Sequence, residues 1–146
     1  MKIELLKSKK KDLPLISKIY RVEMSKPPYN ESWTQKKSMN KLKFFNKFYD
    51  LYSIKFDGKI VGFVCINPTF MCPGEVAFGE EIVISKAFQN KGIGKNVINQ
   101  LFEIYKKRGF KRFMGIVDVD ATAMNLYEKL NFNPSKKDVL LERKLN

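Results

Sequence analysis

The stretch from Val76 to Gly109 constrains this chain more than any other. Val76 to Ser85 reads as a strand, Gln89 to Gly94 as a turn with two glycines, and Gly92 to Arg108 as a long amphipathic helix. Ile93, Val97, Ile98, Leu101, Phe102 and Tyr105 share one face of that helix, and Gly109 stands where a left-handed C-cap belongs. A strand that runs through glycines into a helix presents unpaired backbone N–H groups and the positive end of the helix dipole. Glycines at 92 and 94 let backbone approach a ligand, and Lys91 and Lys95 add charge at the mouth. The result is an anion site suited to a pyrophosphate. It lacks the Lys-Ser/Thr ending of a P-loop and the early glycine of a dinucleotide fingerprint, which sets nucleotide hydrolysis and NAD chemistry aside.

The flanking sequence supplies the rest of one domain spanning residues 1–146. Lys2 to Leu6 alternates like a strand, and Asp12 starts a helix carrying Leu15, Ile16, Ile19, Tyr20 and Met24 until Pro27-Pro28. A second helix over residues 34–49 has Met39, Leu42, Phe45 and Phe48 as its inner stripe. Leu51–Phe56, the Asp57-Gly58 turn and Lys59–Asn67 form a hairpin. After Gly109 come a strand over Phe110–Val117, a helix over Ala121–Leu130 capped by Asp120, and a closing strand over Val139–Leu145. This order gives an α+β fold: a mixed, mostly antiparallel central sheet with helices on both faces.

Absences narrow the chemistry. The chain has no histidine, which removes Ser-His-Asp and Cys-His catalysis, so proton transfer must use Glu, Asp, Tyr, Lys or water. Cys65 and Cys72 are too few for a disulfide framework, and no metal site is expected. No apolar run reaches the roughly 20 residues of a membrane span, and no export signal is visible, so a cytoplasmic protein is expected. The net charge of +13 reflects mostly a lysine-rich composition. No helix-turn-helix, ribonucleoprotein or zinc-finger pattern accompanies it, so no nucleic-acid partner is expected.

Two motifs point further. Gln89-Asn90-Lys91-Gly92-Ile93-Gly94 resembles the Gln/Arg-x-x-Gly-x-Gly/Ala signature of the Gcn5-related N-acetyltransferase (GNAT) superfamily. Ala123-Met124-Asn125-Leu126-Tyr127-Glu128-Lys129-Leu130-Asn131-Phe132 resembles that family's A-x-x-L-Y-E-K-L-G-F element. One helix and one strand separate them, as in the family. The resemblance runs from about Leu51 to Leu145. Asn131 replaces the usual glycine, which Asn tolerates because it accepts left-handed backbone. Asp120 stands where the family often has Asn.

The resemblance implies acetyl-coenzyme A as cofactor. Backbone of Ile82, Val83 and Ile84 would pair with the pantetheine arm. Backbone N–H groups of Gln89, Asn90, Lys91, Gly92, Ile93, Gly94 and Lys95 would hold the pyrophosphate, with Asp120 near the cofactor. Tyr127 matches the tyrosine that protonates the leaving thiolate. For the general base, strand alternation puts Glu80 on the face of Ile82 and Ile84 and Glu81 on the opposite one, and Glu80 is the expected base. The acceptor is then a primary amine of a small molecule, aminoglycoside- or polyamine-like, attacking directly in a ternary complex. A protein amine, or a non-catalytic acyl-CoA-binding module, is the alternative, and a homodimer is compatible with either.

Overall fold

Pairing around the Asp57-Gly58 turn builds the centre of the protein. The computed structural model describes residues 2–146. Its sheet has five strands in the spatial order β1 (Ile3–Lys7), β2 (Asp50–Phe56), β3 (Lys59–Asn67), β4 (Val76–Ile84) and β5 (Arg112–Gly115). The first three pairings are antiparallel and β4–β5 is parallel. Asp57 and Gly58 both take positive φ, 49° and 83°, the geometry a two-residue hairpin loop requires.

Helices cover both faces. α1 (Leu13–Met24) and α2 (Gln35–Phe48) pack on one, where Ile16, Tyr20, Leu42 and Phe45 meet Leu51, Phe63, Cys65 and Val83. α3 (Ile93–Lys107) covers the other with Ile93, Val97, Leu101 and Tyr105 against Ile54, Val61, Val64 and Ile66. Thr34 caps α2 by accepting from the Lys37 N–H at 3.1 Å. Two side chains expected on inner stripes lie outside: Leu15 is 47% exposed and Phe48 58%. Phe48 is the last residue of α2, where the helical face has turned off the sheet; it packs on Phe44 instead, at 5.0 Å between ring centres.

The C-terminal third departs most from expectation. The strand after Gly109 is confined to Arg112–Gly115, and the following helix, α4, to Ala123–Lys129. The strand expected over Val139–Leu145 does not form: Val139 is 80% exposed and Leu141 85%, and no strand among the described residues pairs with them. Apolar patterning gives a segment a face, but a strand exists only through a partner's hydrogen bonds. Asp120 does not cap α4, whose N-cap is Thr122. Its own N–H is taken by the Asp118 carboxylate at 2.8 Å in a tight turn. No helix among the described residues is long and apolar enough to cross a membrane.

Gly62 sets the closeness of β3 and β4. A Cβ there would fall 2.2 Å from the Val83 carbonyl oxygen, a backbone atom with no room to retreat. Gly62→Ala is expected to destabilise the protein by about 2–3 kcal/mol through overpacking. Gly58→Ala, in open space at φ +83°, should cost only about 1 kcal/mol in backbone strain. Urea titrations of the two variants give the comparison; equal shifts would contradict the packing account.

Candidate active site

β4 and β5 pair only from Val76 to Gly79 against Arg112 to Gly115. From Glu81 to Ile84, β4 keeps β3 on one side, and no strand among the described residues lies on the other. Backbone groups on that open side can pair with an extended ligand, as a missing strand would. One of them is already engaged: Gln89 donates through Nε2 to the Ile84 carbonyl at 2.7 Å and to Glu23 Oε1 at 3.2 Å. Gln89 thus clamps the glycine turn to the end of β4.

The turn itself uses left-handed backbone at Asn90 (φ 59°) and Gly92 (φ 79°) before α3 begins. No side chain caps α3, so its first-turn N–H groups face outward beside exposed Lys91 and Lys95. Ile93 is buried and anchors the helix start. Gly94 also has a packing role. A Cβ there would lie 3.1 Å from Leu126 Cδ2 and 3.7 Å from Ile84 Cδ1, so this glycine lets α4 close on α3 and β4. A left-handed turn, an uncapped helix start and an open strand edge together fit a pyrophosphate with an extended arm.

A β-bulge decides where the carboxylates point. Opposite Cys65 and Ile66, β4 places Glu81 and Gly79, leaving Glu80 as the extra residue. Simple alternation therefore fails at Glu80. Its carboxylate lies 3.4 Å from Asn67 Nδ2 and acts electrostatically on Cys65 and Tyr49, which belong to the α1–α2 face, rather than joining Ile82 and Ile84 under α3. Glu81 faces α1 as expected. Tyr20 Oη donates to Glu81 Oε2 at 2.6 Å.

Burial pushes the Glu81 carboxyl up to about 7; the Tyr20 hydrogen bond and Lys41 oppose the rise, and Glu31 and Glu80 add to it. Tyr127, half-buried on α4, packs edge-on against Phe132 with ring centres 5.5 Å apart. Burial raises its phenol to about 12, with Tyr29 and Glu81 contributing. Tyr29 is raised in turn by burial and by Glu81, Asp118 and Glu31. Tyr127, Tyr29 and Glu81 therefore share one electrostatic neighbourhood. Asp120 is exposed in the loop before α4. The structure brings Tyr127, Glu81 and the β4 edge to one side of the sheet's opening. It adds Tyr20, whose helical spacing read as ordinary core; a buried tyrosine's need for a hydroxyl partner was the available signal.

Comparison with known proteins gives the family and the fold. The family model described as "Acetyltransferase (GNAT) family" matches residues 16–132. A glucosamine 6-phosphate N-acetyltransferase of Trypanosoma brucei brucei is 31% identical over 88 residues, and the match spans 58% of each protein. Among solved structures, a "possible acetyltransferase" from Clostridium difficile 630 superposes with a TM-score of 0.82 at 14% identity, covering 99% of both chains. The aminoglycoside N-acetyltransferase AAC(6')-Iy, solved in complex with CoA, gives 0.74 at 15% identity, covering 99% of this chain and 96% of that one. These structural likenesses establish the fold, and the family model establishes descent: the chain belongs to the acetyltransferase (GNAT) family, whose members use acetyl-CoA.

Proposed function

We propose that this protein transfers acetyl from acetyl-CoA to a primary amine of a small molecule by direct attack in a ternary complex, with Glu81 as general base and Tyr127 as general acid. The observation that carries this reading is a carboxyl held by Tyr20 and raised to about 7, whose charge acts on a tyrosine of the family motif. The edge of β4 at Ile82, Val83 and Ile84 would hold the pantetheine arm, and backbone from Gln89 to Lys95 the pyrophosphate. Bound there, acetyl-CoA supplies an electrophilic thioester carbonyl and a thiolate leaving group.

The chain's own residues move the protons. An amine reaches the site as an ammonium and attacks only after losing a proton. A carboxylate with a pKa near 7 removes that proton far better than one near 4, because efficiency peaks when the base is matched to the working pH. Tyr127 stays protonated at neutral pH and has its proton to give to the departing sulfur. An acyl-enzyme finds no support: Cys65 is buried with its thiol pushed well up, and Cys72 lies exposed in the β3–β4 loop. Glu80, engaged near Asn67, is the second candidate base.

Mutants separate these roles. Glu81→Gln should lower kcat/KM by roughly 10²–10³, the usual contribution of a positioned base, while Glu80→Gln stays within about fivefold of wild type. The reverse ranking would transfer the role to Glu80. In wild type, kcat/KM should climb with pH through about 7 as Glu81 ionises, and Glu81→Gln should lose that limb. Tyr127→Phe should cut kcat by about 10²-fold while coenzyme A affinity, read by calorimetry, is kept.

The same group has a thermodynamic signature. Glu81's folded-state value is raised, so its burial is tolerated while it is protonated and weakens the fold as pH rises through about 7. Glu81→Gln should therefore raise the urea midpoint over wild type at pH 8, with the difference fading below pH 5. A difference independent of pH would contradict the raised value.

A further inference from the structure

Glu81 and Glu31 are joined by an unbroken run of side chains. Tyr20 donates to Glu81 at 2.6 Å, its ring centre lies 4.5 Å from that of Trp33, and Trp33 Nε1 donates to Glu31 Oε1 at 3.2 Å. Tyr29 stands in the same field, close enough for Glu81, Asp118 and Glu31 all to act on its phenol. The backbone here is firmly tied. Glu31 N–H bonds to the Met24 carbonyl, and the N–H groups of Tyr29 and Asn30 to the Lys26 carbonyl, each at 3.0 Å. The connection between α1 and α2 therefore presents Tyr29, Glu31 and Trp33 in a fixed arrangement rather than as a loose loop.

This wall has a definite chemical preference. Ionised carboxylates only accept hydrogen bonds, and the faces of Trp and Tyr rings attract cations. Its acidity runs against the rest of the chain, whose net charge is +13. Of the nearby lysines, Lys26 is paired with Glu23 at 3.2 Å, and Lys41 lies over the Phe45 ring while also acting on Glu81.

Resting on the acetyltransferase reading above, we propose that the Glu81–Tyr20–Trp33–Glu31 wall selects an acceptor with at least two ammonium groups. Glu81 receives the reacting amine; Glu31, with the rings of Trp33 and Tyr29, holds the second cation. A phosphorylated amino sugar, the substrate named for the trypanosomal relative, would bring a dianion against Glu31 and be rejected by like-charge repulsion.

Initial rates of thiol release with acetyl-CoA decide the matter, using spermidine, n-hexylamine and glucosamine 6-phosphate as acceptors. Wild type should favour spermidine over both others by about tenfold or more in kcat/KM, a preference eroded in about 0.5 M salt, where the Debye length shrinks to roughly 4 Å. Glu31→Gln should raise the spermidine KM by about tenfold with kcat kept, leaving n-hexylamine within about twofold. Glu31→Lys should narrow or reverse the gap to glucosamine 6-phosphate. A wild-type preference for glucosamine 6-phosphate, or an equal loss for every amine in Glu31→Gln, overturns the proposal. Absence of thiol release with any amine, while calorimetry still detects coenzyme A binding, overturns the acetyltransferase reading itself.

Discussion

β4 loses its partner β5 at Gly79 and keeps β3 as far as Ile84, and most of the site depends on that parting. A sheet edge inside a fold leaves backbone donors and acceptors that something must satisfy. At the top of the gap, Gln89 takes one carbonyl and draws the glycine turn against the strand. At its base, the bulge at Glu80 breaks alternation where the strands begin to separate. Gly94 then admits Leu126, so α4 and its tyrosine close the far side. An open strand edge, a carboxylate pair and a half-buried tyrosine thus follow from one local failure of strand pairing.

Electrostatics adds a second layer. The protein is strongly basic overall, yet the face of β4 under α1 gathers Glu80 and Glu81, and Glu31 and Asp118 act together with Glu81 on Tyr29. Burial beside other carboxylates raises Glu81, and the Tyr20 hydroxyl limits the rise by donating to the ionised form. The lysines at the start of α3 suit a pyrophosphate, while the carboxylates on the opposite side suit amines. The two charges of the cleft are segregated by the strand between them.

Much of this was legible in the sequence, for reasons tied to particular residues. The Asp57-Gly58 turn, the α3 stripe from Ile93 to Tyr105 and the left-handed Gly109 and Asn131 follow local rules, and each stands as read. The face of Glu80 did not, because a bulge is set by pairing with Cys65 and Ile66 rather than by its own neighbours. The C-terminal strand failed for a related reason: Val139 to Leu145 carries the pattern but no partner edge. Asp120 had the chemistry of a cap, but the Asp118 turn claimed its backbone first. Tyr20 looked like core because it is core, yet its hydroxyl reaches Glu81.

We propose that the unpaired edge of β4 and the start of α3 form one cofactor surface. Backbone hydrogen exchange with and without saturating coenzyme A tests it most directly. Amides in Glu80–Ile84 and Gln89–Lys95 should both slow by about tenfold or more on binding, as newly paired groups do. Protection confined to the α1–α2 face, or none in β4, would contradict the account.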